Sequence, residues 1–229
     1  MVTLTLGGLL GKTRVLLMLK INEIFHSIQG ESDSVGYRTV FIRTTGCNLR
    51  CTYCDTKYSY HEGSFKSVEE ILAIVRDHDA PHVCITGGEP LLQKEVFDLM
   101  KRICDMGYSV SLETSGSKSI KDVDPRVRTI LDVKTPDSGA ENSFLMENLN
   151  DLKANTEIKF VICSEKDFEW AENFCSQWGL FKKAMVLYSP SFEAVSERWL
   201  AEKILEKKSP ARLQLQLHKY IWSPTQRGV

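Results

Sequence analysis

Short β-branched runs alternate with amphipathic helical patterns along almost the whole chain, and this alternation limits the fold more than any other feature. The pattern predicts strands at 20–25, 39–44, 82–86, 108–113, 129–134, 157–163, 184–189 and 212–217. It predicts helices at 67–78, 95–106, 142–152, 166–178 and 195–207. Ser67 with Glu70 forms a capping box at the first of these, and Ile71, Leu72, Ile74 and Val75 supply its apolar face. Gly107 and Gly179 stand at the stop positions of two others. Strands joined by helices of this length are βα units, and their sheet is parallel. Six or seven units fit the sequence, fewer than the eight of a closed barrel. The expected fold class is therefore α/β, as a partial (βα)6-type TIM barrel of parallel strands, with an open parallel sheet as the alternative. No low-complexity linker interrupts residues 19–229, which read as a single domain.

The unusual residues fall where the strands end. Segments 46–54, 87–90, 113–116 and 132–136 each follow a predicted strand. Parallel sheets bind ligands at the carboxyl ends of their strands, so four such clusters describe one site. Lys plus Arg total 29 and Asp plus Glu total 30, a formal net charge of −1. That balance argues against a surface built for nucleic-acid phosphates or an anionic membrane, and leaves room for a small anionic substrate in a local basic pocket.

The first residues, MVTLTLGGLLGKTRVLLML, are apolar but split by Lys12 and Arg14, with no small-residue cleavage site after them. They fit neither a signal peptide nor a membrane span. Residues 1–18 are expected to be a weakly ordered extension, with Met18 as the working initiator, and the protein to be cytoplasmic.

Seven cysteines are too few and too scattered for a disulfide scaffold, and suit a reducing compartment. Cys84 and Cys163 fall in predicted strands and Cys104 and Cys175 on apolar helix faces, positions for inert packing. Trp170, Trp178, Trp199 and Trp222 read as core or interface residues. Cys47, Cys51 and Cys54 are different: a C-x3-C-x2-C loop directly after a strand. Three thiolates cannot close a structural zinc site, which takes four ligands. On a cubane of four irons and four sulfides they leave one iron open to a small molecule.

That cysteine loop on a βα scaffold, followed by Gly87-Gly88-Glu89-Pro90, resembles the radical S-adenosylmethionine enzymes. The resemblance implies that the three cysteines hold a 4Fe–4S cluster and that the amine and carboxylate of S-adenosylmethionine chelate the open iron. It also implies that Gly88 and Glu89 meet the cofactor's amino group. The flanks narrow the resemblance to the 7-carboxy-7-deazaguanine synthase family. They are FHSIQGE at 25–31, FIR at 41–43, CDT at 54–56, ETSG at 113–116, DVK at 132–134 and QLHKYIW at 216–222. This likeness covers about residues 19 to 229. It implies a lyase of queuosine biosynthesis acting on 6-carboxy-5,6,7,8-tetrahydropterin. A 5′-deoxyadenosyl radical abstracts the C6 hydrogen, the ring contracts, ammonia leaves and 7-carboxy-7-deazaguanine forms.

The residues follow that chemistry. A carboxylate suits a guanidinium, and Arg43 leads into the cluster loop. Ile28, Gln29, Gly30 and Glu31 are expected at the amino edge of the pterin, Thr86 against the substrate and His218 on its carboxylate. Tyr53, Asp55, Ser115, Asp132 and Lys134 are expected on S-adenosylmethionine. Thr56 is the expected ligand of an Mg2+ ion, which accepts a hydroxyl alongside substrate oxygens and water. Where the family often has a second glycine after the glutamate, this chain has Ser32, a departure that bears on the loop's shape. An electron donor of flavodoxin or ferredoxin type and a homodimer complete the implied partners. Glycyl-radical-enzyme activases share the cysteine spacing but would need an open groove for a polypeptide, and give no reason for SIQGE or HKYIW. A non-enzymatic iron–sulfur electron carrier would want a closed cluster.

Overall fold

A computed structural model describes residues 17–229. Its elements are β1 (Met18–Ile28), β2 (Arg38–Thr44), β3 (Ser64–Ser67), α1 (Val68–Asp77), β4 (His82–Gly87), α2 (Glu95–Asp105) and β5 (Ser109–Thr114). They continue as β6 (Arg128–Asp132), β7 (Glu157–Ile162), α3 (Glu165–Trp178), β8 (Met185–Pro190), α4 (Glu197–Lys207), β9 (Arg212–Leu213) and α5 (His218–Ile221). One sheet holds all the strands, in the order β3-β1-β2-β4-β5-β6-β7-β8-β9. From β2 to β9 neighbours run parallel. The order does not close, so the barrel is partial, with β3 and β9 as its edges.

Period-two alternation divides the strands between two faces. Val40 and Ile42 of β2, Val83 and Ile85 of β4, and Val110 and Leu112 of β5 enter one apolar core, together with Ile71, Leu72 and Val75 of α1 and Val96 and Leu99 of α2. Ile158, Phe160 and Ile162 of β7 enter a second, with Phe168 and Ala171 of α3 and Leu200 of α4. The residues between them, such as Arg43, Thr86, Glu113 and Lys159, face the other way and line a cavity.

The helices begin and end as their sequences direct. Ser67 and Glu70 make both halves of the capping box on α1. Ser164 and Ser196 each accept a backbone N–H at the start of α3 and α4. Gly179 ends α3 in the left-handed region.

Several expectations need correction. β1 and β3 are antiparallel, β1 pairing with both β2 and β3. β3 was not expected at all. The helix expected at 142–152 is two short 3-10 turns, Glu141–Ser143 and Met146–Asn150. Asn148 explains why: its buried side chain bonds Gly116 O at 2.9 Å, Lys118 O at 3.0 Å and Ile120 N–H at 3.1 Å, bracing the neighbouring loop. The strand expected at 212–217 stops at Leu213, and the chain leaves the sheet to carry Gln216 and His218 to the cavity. Cys163 lies just past β7, and Cys84 lines the cavity instead of packing in the outer core. Trp170 and Trp199 pack against the second core, whereas Trp178 is 39% exposed. The extension expected over 1–18 lies up to residue 16 outside the described residues, and Met18 already belongs to β1.

Candidate active site

The cavity has a volume of about 690 Å³ and lies at the carboxyl ends of the parallel strands. All but one of the site residues singled out from the sequence line it, and the exception is Glu89. Cys47, Cys51 and Cys54 project from the loop after β2, free and half-buried. Among the described residues no three His, Cys, Asp or Glu side chains converge on a point that would hold a single metal ion. Thiolates spread around a space suit a cluster, which takes one on each of several irons. Burial pushes the Cys47 and Cys51 thiols up, so their thiolates need a nearby cation or metal. The Leu49 N–H donates to Cys47 Sγ at 3.3 Å. Gly88 packs directly against this loop: a Cβ there would lie 2.2 Å from Gly46 O and 2.7 Å from Cys47 Cβ.

Glu89 departs from its expected role. It is wholly buried, and its carboxylate accepts from Leu91 N–H at 3.1 Å, Thr114 hydroxyl at 2.7 Å, and Ser115 N–H and hydroxyl at 2.9 and 2.5 Å. These four bonds fill its acceptor sites. Glu89 therefore ties the turn after β4 to the end of β5 and is not free to take a cofactor ammonium.

Arg43 and Thr86 are register partners on β2 and β4, just before the cysteine loop and the glycine turn. Arg43 donates through Nε to Glu23 at 2.7 Å, and the Tyr58 hydroxyl donates to the same Glu23 oxygen at 2.9 Å. No other hydrogen-bond partner among the described residues takes up the terminal nitrogens of Arg43. Gly30 is a necessity of packing: a Cβ there would stand 2.3 Å from His218 Nδ1. Its carbonyl accepts the Leu217 N–H at 3.0 Å, holding α5 against the loop. Burial lowers the pKa of His218, which keeps its imidazole neutral. Ser32 adopts φ +67, the left-handed conformation that a glycine would take more easily. Asp55 is ion-paired with Lys219 at 3.1 Å, and Thr56 Oγ1 lies 3.8 Å from Cys54 Sγ.

Three buried polar atoms lining the cavity have no hydrogen-bond partner: Gln29 Nε2, Tyr53 OH and Asp132 Oδ1. Buried polar groups are almost always satisfied, so these three are suited to a ligand. A charged floor joins them, and the sequence reading missed its centre, Lys159. Lys159 Nζ meets Glu31 at 2.7 Å, Glu113 at 3.3 Å and Asp132 at 3.6 Å, and Asp132 also meets Lys134 at 3.0 Å. Gln216 donates to the other Glu31 oxygen at 2.8 Å. Burial alone would push Glu31 up, but the Lys159 ammonium, with the bonds from Lys159 and Gln216, holds it at about 2. Burial pushes Glu113 up to about 7 despite Lys159, with the charges of Glu31 and Asp132 adding to the rise. Lys159 itself stays firmly protonated, because three carboxylates outweigh its burial. The signal was present: a lysine in the middle of the apolar run EIKFVI is explained only if it faces a polar interior.

A partial barrel with a three-thiol loop and a glycine turn at adjoining strand ends defines a radical S-adenosylmethionine enzyme, and residues 41–138 match the Radical SAM superfamily. The 7-carboxy-7-deazaguanine synthase of Chlorobaculum tepidum is 43% identical over 92% of this chain and 97% of its own length. That of Koribacter versatilis is also 43% identical, over 92% of this chain and all of its own. The crystal structure of QueE from Escherichia coli shares the fold with a TM-score of 0.74, at 24% identity, over 88% of this chain and 95% of that one. The chain belongs to the 7-carboxy-7-deazaguanine synthase family.

Proposed function

We propose that this enzyme contracts the ring of 6-carboxy-5,6,7,8-tetrahydropterin to 7-carboxy-7-deazaguanine with loss of ammonia, as a carbon–nitrogen lyase of queuosine biosynthesis. The observation that carries this reading is one cavity shared by the three-cysteine loop and by Arg43, Gln29, Glu31 and His218. When bound, a 4Fe–4S cluster on Cys47, Cys51 and Cys54 together with S-adenosylmethionine supplies a 5′-deoxyadenosyl radical for the C6 hydrogen.

The protein's own groups then bind and orient. Arg43, anchored through Nε, offers its terminal nitrogens to the substrate carboxylate. Neutral His218 adds a hydrogen bond to the same group. Glu31, ionised across the working range, accepts from the amino edge of the pterin, and the unpartnered Gln29 Nε2 donates to a ring acceptor. Ile28 and Thr86 shape the walls, and Gly30 lets His218 approach. Tyr53, Asp55, Gly88, Ser115, Asp132 and Lys134 surround the cofactor, the Tyr53 hydroxyl and Asp132 Oδ1 being the polar atoms left for it to satisfy. Thr56 would hold an Mg2+ ion through its hydroxyl, an oxygen ligand of the kind that ion takes.

Residues 19–229 form one catalytic domain under this reading. The reductant is a flavodoxin- or ferredoxin-type donor, the enzyme works as a homodimer, and it resides in the cytoplasm. Among the described residues no helix is long and apolar enough to cross a membrane. The test is mass spectrometry of an anaerobic reaction with 6-carboxytetrahydropterin. The deazaguanine acid and ammonia are expected. Deoxyadenosine without either would overturn the assignment.

A further inference from the structure

Lys159 stands on β7 in register with Asp132 of β6, and its ammonium reaches Glu31 after β1, Glu113 on β5 and Asp132 at once. Only 9% of its side chain is exposed. A desolvated ammonium needs one carboxylate to be tolerated, and this one has three. Two of those carboxylates face different ligands in the proposed function: Glu31 the pterin, Asp132 the cofactor. The third, Glu113, meets the same ammonium from β5 at 3.3 Å.

We infer that Lys159 is a positioning residue for substrate recognition: its ammonium fixes the plane of Glu31 and ties that carboxylate to the cofactor side of the cavity. The inference rests on the proposed function. Geometry gives it its direction. Glu31 is gripped at both oxygens, Oε2 by Lys159 and Oε1 by Gln216, so only its remaining lone pairs are presented, at fixed angles. Without Lys159, Glu31 would keep only Gln216 and the neutral His218 near it, in a buried position close to the negative charges of Glu113 and Asp132. It would then turn, or take a proton, and in either case lose the acceptor that the amino edge needs.

The test reads binding, not turnover. Equilibrium dialysis of 6-carboxypterin, the fluorescent oxidised analogue, is run against the reconstituted, unreduced enzyme with S-adenosylmethionine present. Lys159→Met is expected to raise Kd at least about tenfold, and Glu31→Gln to do likewise. If Lys159 acts through Glu31, the double variant binds within roughly twofold of Glu31→Gln alone. A purely structural lysine would give losses that multiply.

A second readout is pH. Wild-type affinity should change between about pH 6 and 8 only as far as Glu113 titrates at about 7, whereas Lys159→Met should weaken further as pH falls and Glu31 takes a proton. The groups facing Glu31 in that variant are Gln216 and His218 beside it and Glu113, Asp132 and Lys134 across the floor. Should Lys159→Met not fold, Lys159→Arg carries the test. Its longer fork cannot meet all three carboxylates, so affinity should fall roughly threefold, and the loss should vanish in the Glu31→Gln background. Unchanged affinity, or losses that multiply, overturns the role of Lys159. Wild-type enzyme that neither binds the analogue nor converts 6-carboxytetrahydropterin overturns the functional reading instead.

Discussion

Arg43 gives its Nε to Glu23 at 2.7 Å and keeps its terminal nitrogens for the cavity. The pair is mostly buried, at 14% and 21% side-chain exposure, and stacks near Phe25 and Tyr58, with the guanidinium 5.8 and 6.0 Å from their rings. An arginine fixed by its inner nitrogen is pre-organised for bidentate carboxylate binding. Arg43→Ala should therefore lose about 2–5 kcal/mol of substrate binding, some 30- to several-thousand-fold in kcat/KM. Arg43→Lys should recover little, because a point charge cannot reproduce the fork. Glu23→Gln should show a smaller rise in KM. Steady-state kinetics on the carboxypterin, with cofactor affinity measured in parallel, checks all three. A near-normal Arg43→Ala enzyme would remove this arginine from the site.

The cysteine loop and the glycine turn behind it should fail together. Cys47→Ala, Cys51→Ala or Cys54→Ala should abolish the brown chromophore and all activity. Gly88→Ala should lower iron content too, since its Cβ would press to 2.2 Å on the backbone oxygen of Gly46, which cannot swing aside as a side chain could. Cys104→Ala and Cys175→Ala, buried in the cores on the helix side of the sheet, should leave the iron-to-protein ratio near wild type. An equal loss of iron in either would mean a different ligand set.

The parallel part of the fold was legible because each strand shows its own period and most carry a helix between them. The reversal of β1 was legible in principle. Too few residues separate it from β2 to hold a crossover, which rules out a parallel pair. Asn148 was not legible: nothing local shows that its amide will brace another loop, so the apolar spacing around it reads as a helix. The same limit applies at Glu89. Its position in the turn marks it for the site, but its partners Thr114 and Ser115 come from the neighbouring strand. Lys159 was missed for a related reason. Charge inside an apolar strand signals an inward-facing ion, but only the barrel reveals that three carboxylates from three other segments meet it.

Glu113 gives the fold a definite pH dependence. Its carboxyl is raised from an ordinary 4.5 to about 7, so the native state binds its proton more tightly than the unfolded chain does. The stability contributed is fully present below pH 4.5 and is lost as pH rises through about 7. Relative to Glu113→Gln, the wild-type protein should lose roughly 3 kcal/mol across that window. Denaturant unfolding of both proteins at a series of pH values measures the difference. A constant gap would show that Glu113 titrates alike in the native and unfolded states.

Thr56 is the proposed magnesium contact, and its backbone carbonyl already serves the protein by accepting from Ser59 N–H at 2.9 Å and hydroxyl at 2.8 Å. The side-chain hydroxyl meets only Cys54 Sγ, at 3.8 Å, so Thr56→Ala should preserve the turn while removing an ion ligand. The magnesium concentration for half-maximal rate should rise, with deoxyadenosine formation retained, because one oxygen among six weakens the ion without expelling it. An unchanged magnesium titration would return Thr56 to a purely structural role.

Gly30 is the point where the loop after β1 packs on α5. Its missing side chain is what allows His218 to lie so close: a Cβ would come within 2.3 Å of Nδ1, 3.0 Å of the His218 backbone nitrogen and 3.1 Å of Cγ. The imidazole alone cannot resolve such a clash by rotating, since the backbone nitrogen is crowded as well. Gly30→Ala must therefore push α5 outward, stretching the 3.0 Å bond from Leu217 N–H to the Gly30 carbonyl and drawing His218 off the pterin and Gln216 off Glu31. The loss of hydrogen bonds to a charged substrate should raise KM by about tenfold or more. Iron content should stay at the wild-type value, because the atoms nearest a Gly30 Cβ all belong to His218 and none to the cysteine loop, and S-adenosylmethionine affinity should fall only as far as the Lys219–Asp55 pair loosens. Iron analysis, cofactor titration and substrate kinetics on one preparation decide the matter. A Gly30→Ala enzyme with normal KM would show that α5 can move without cost, and that His218 does not hold the substrate.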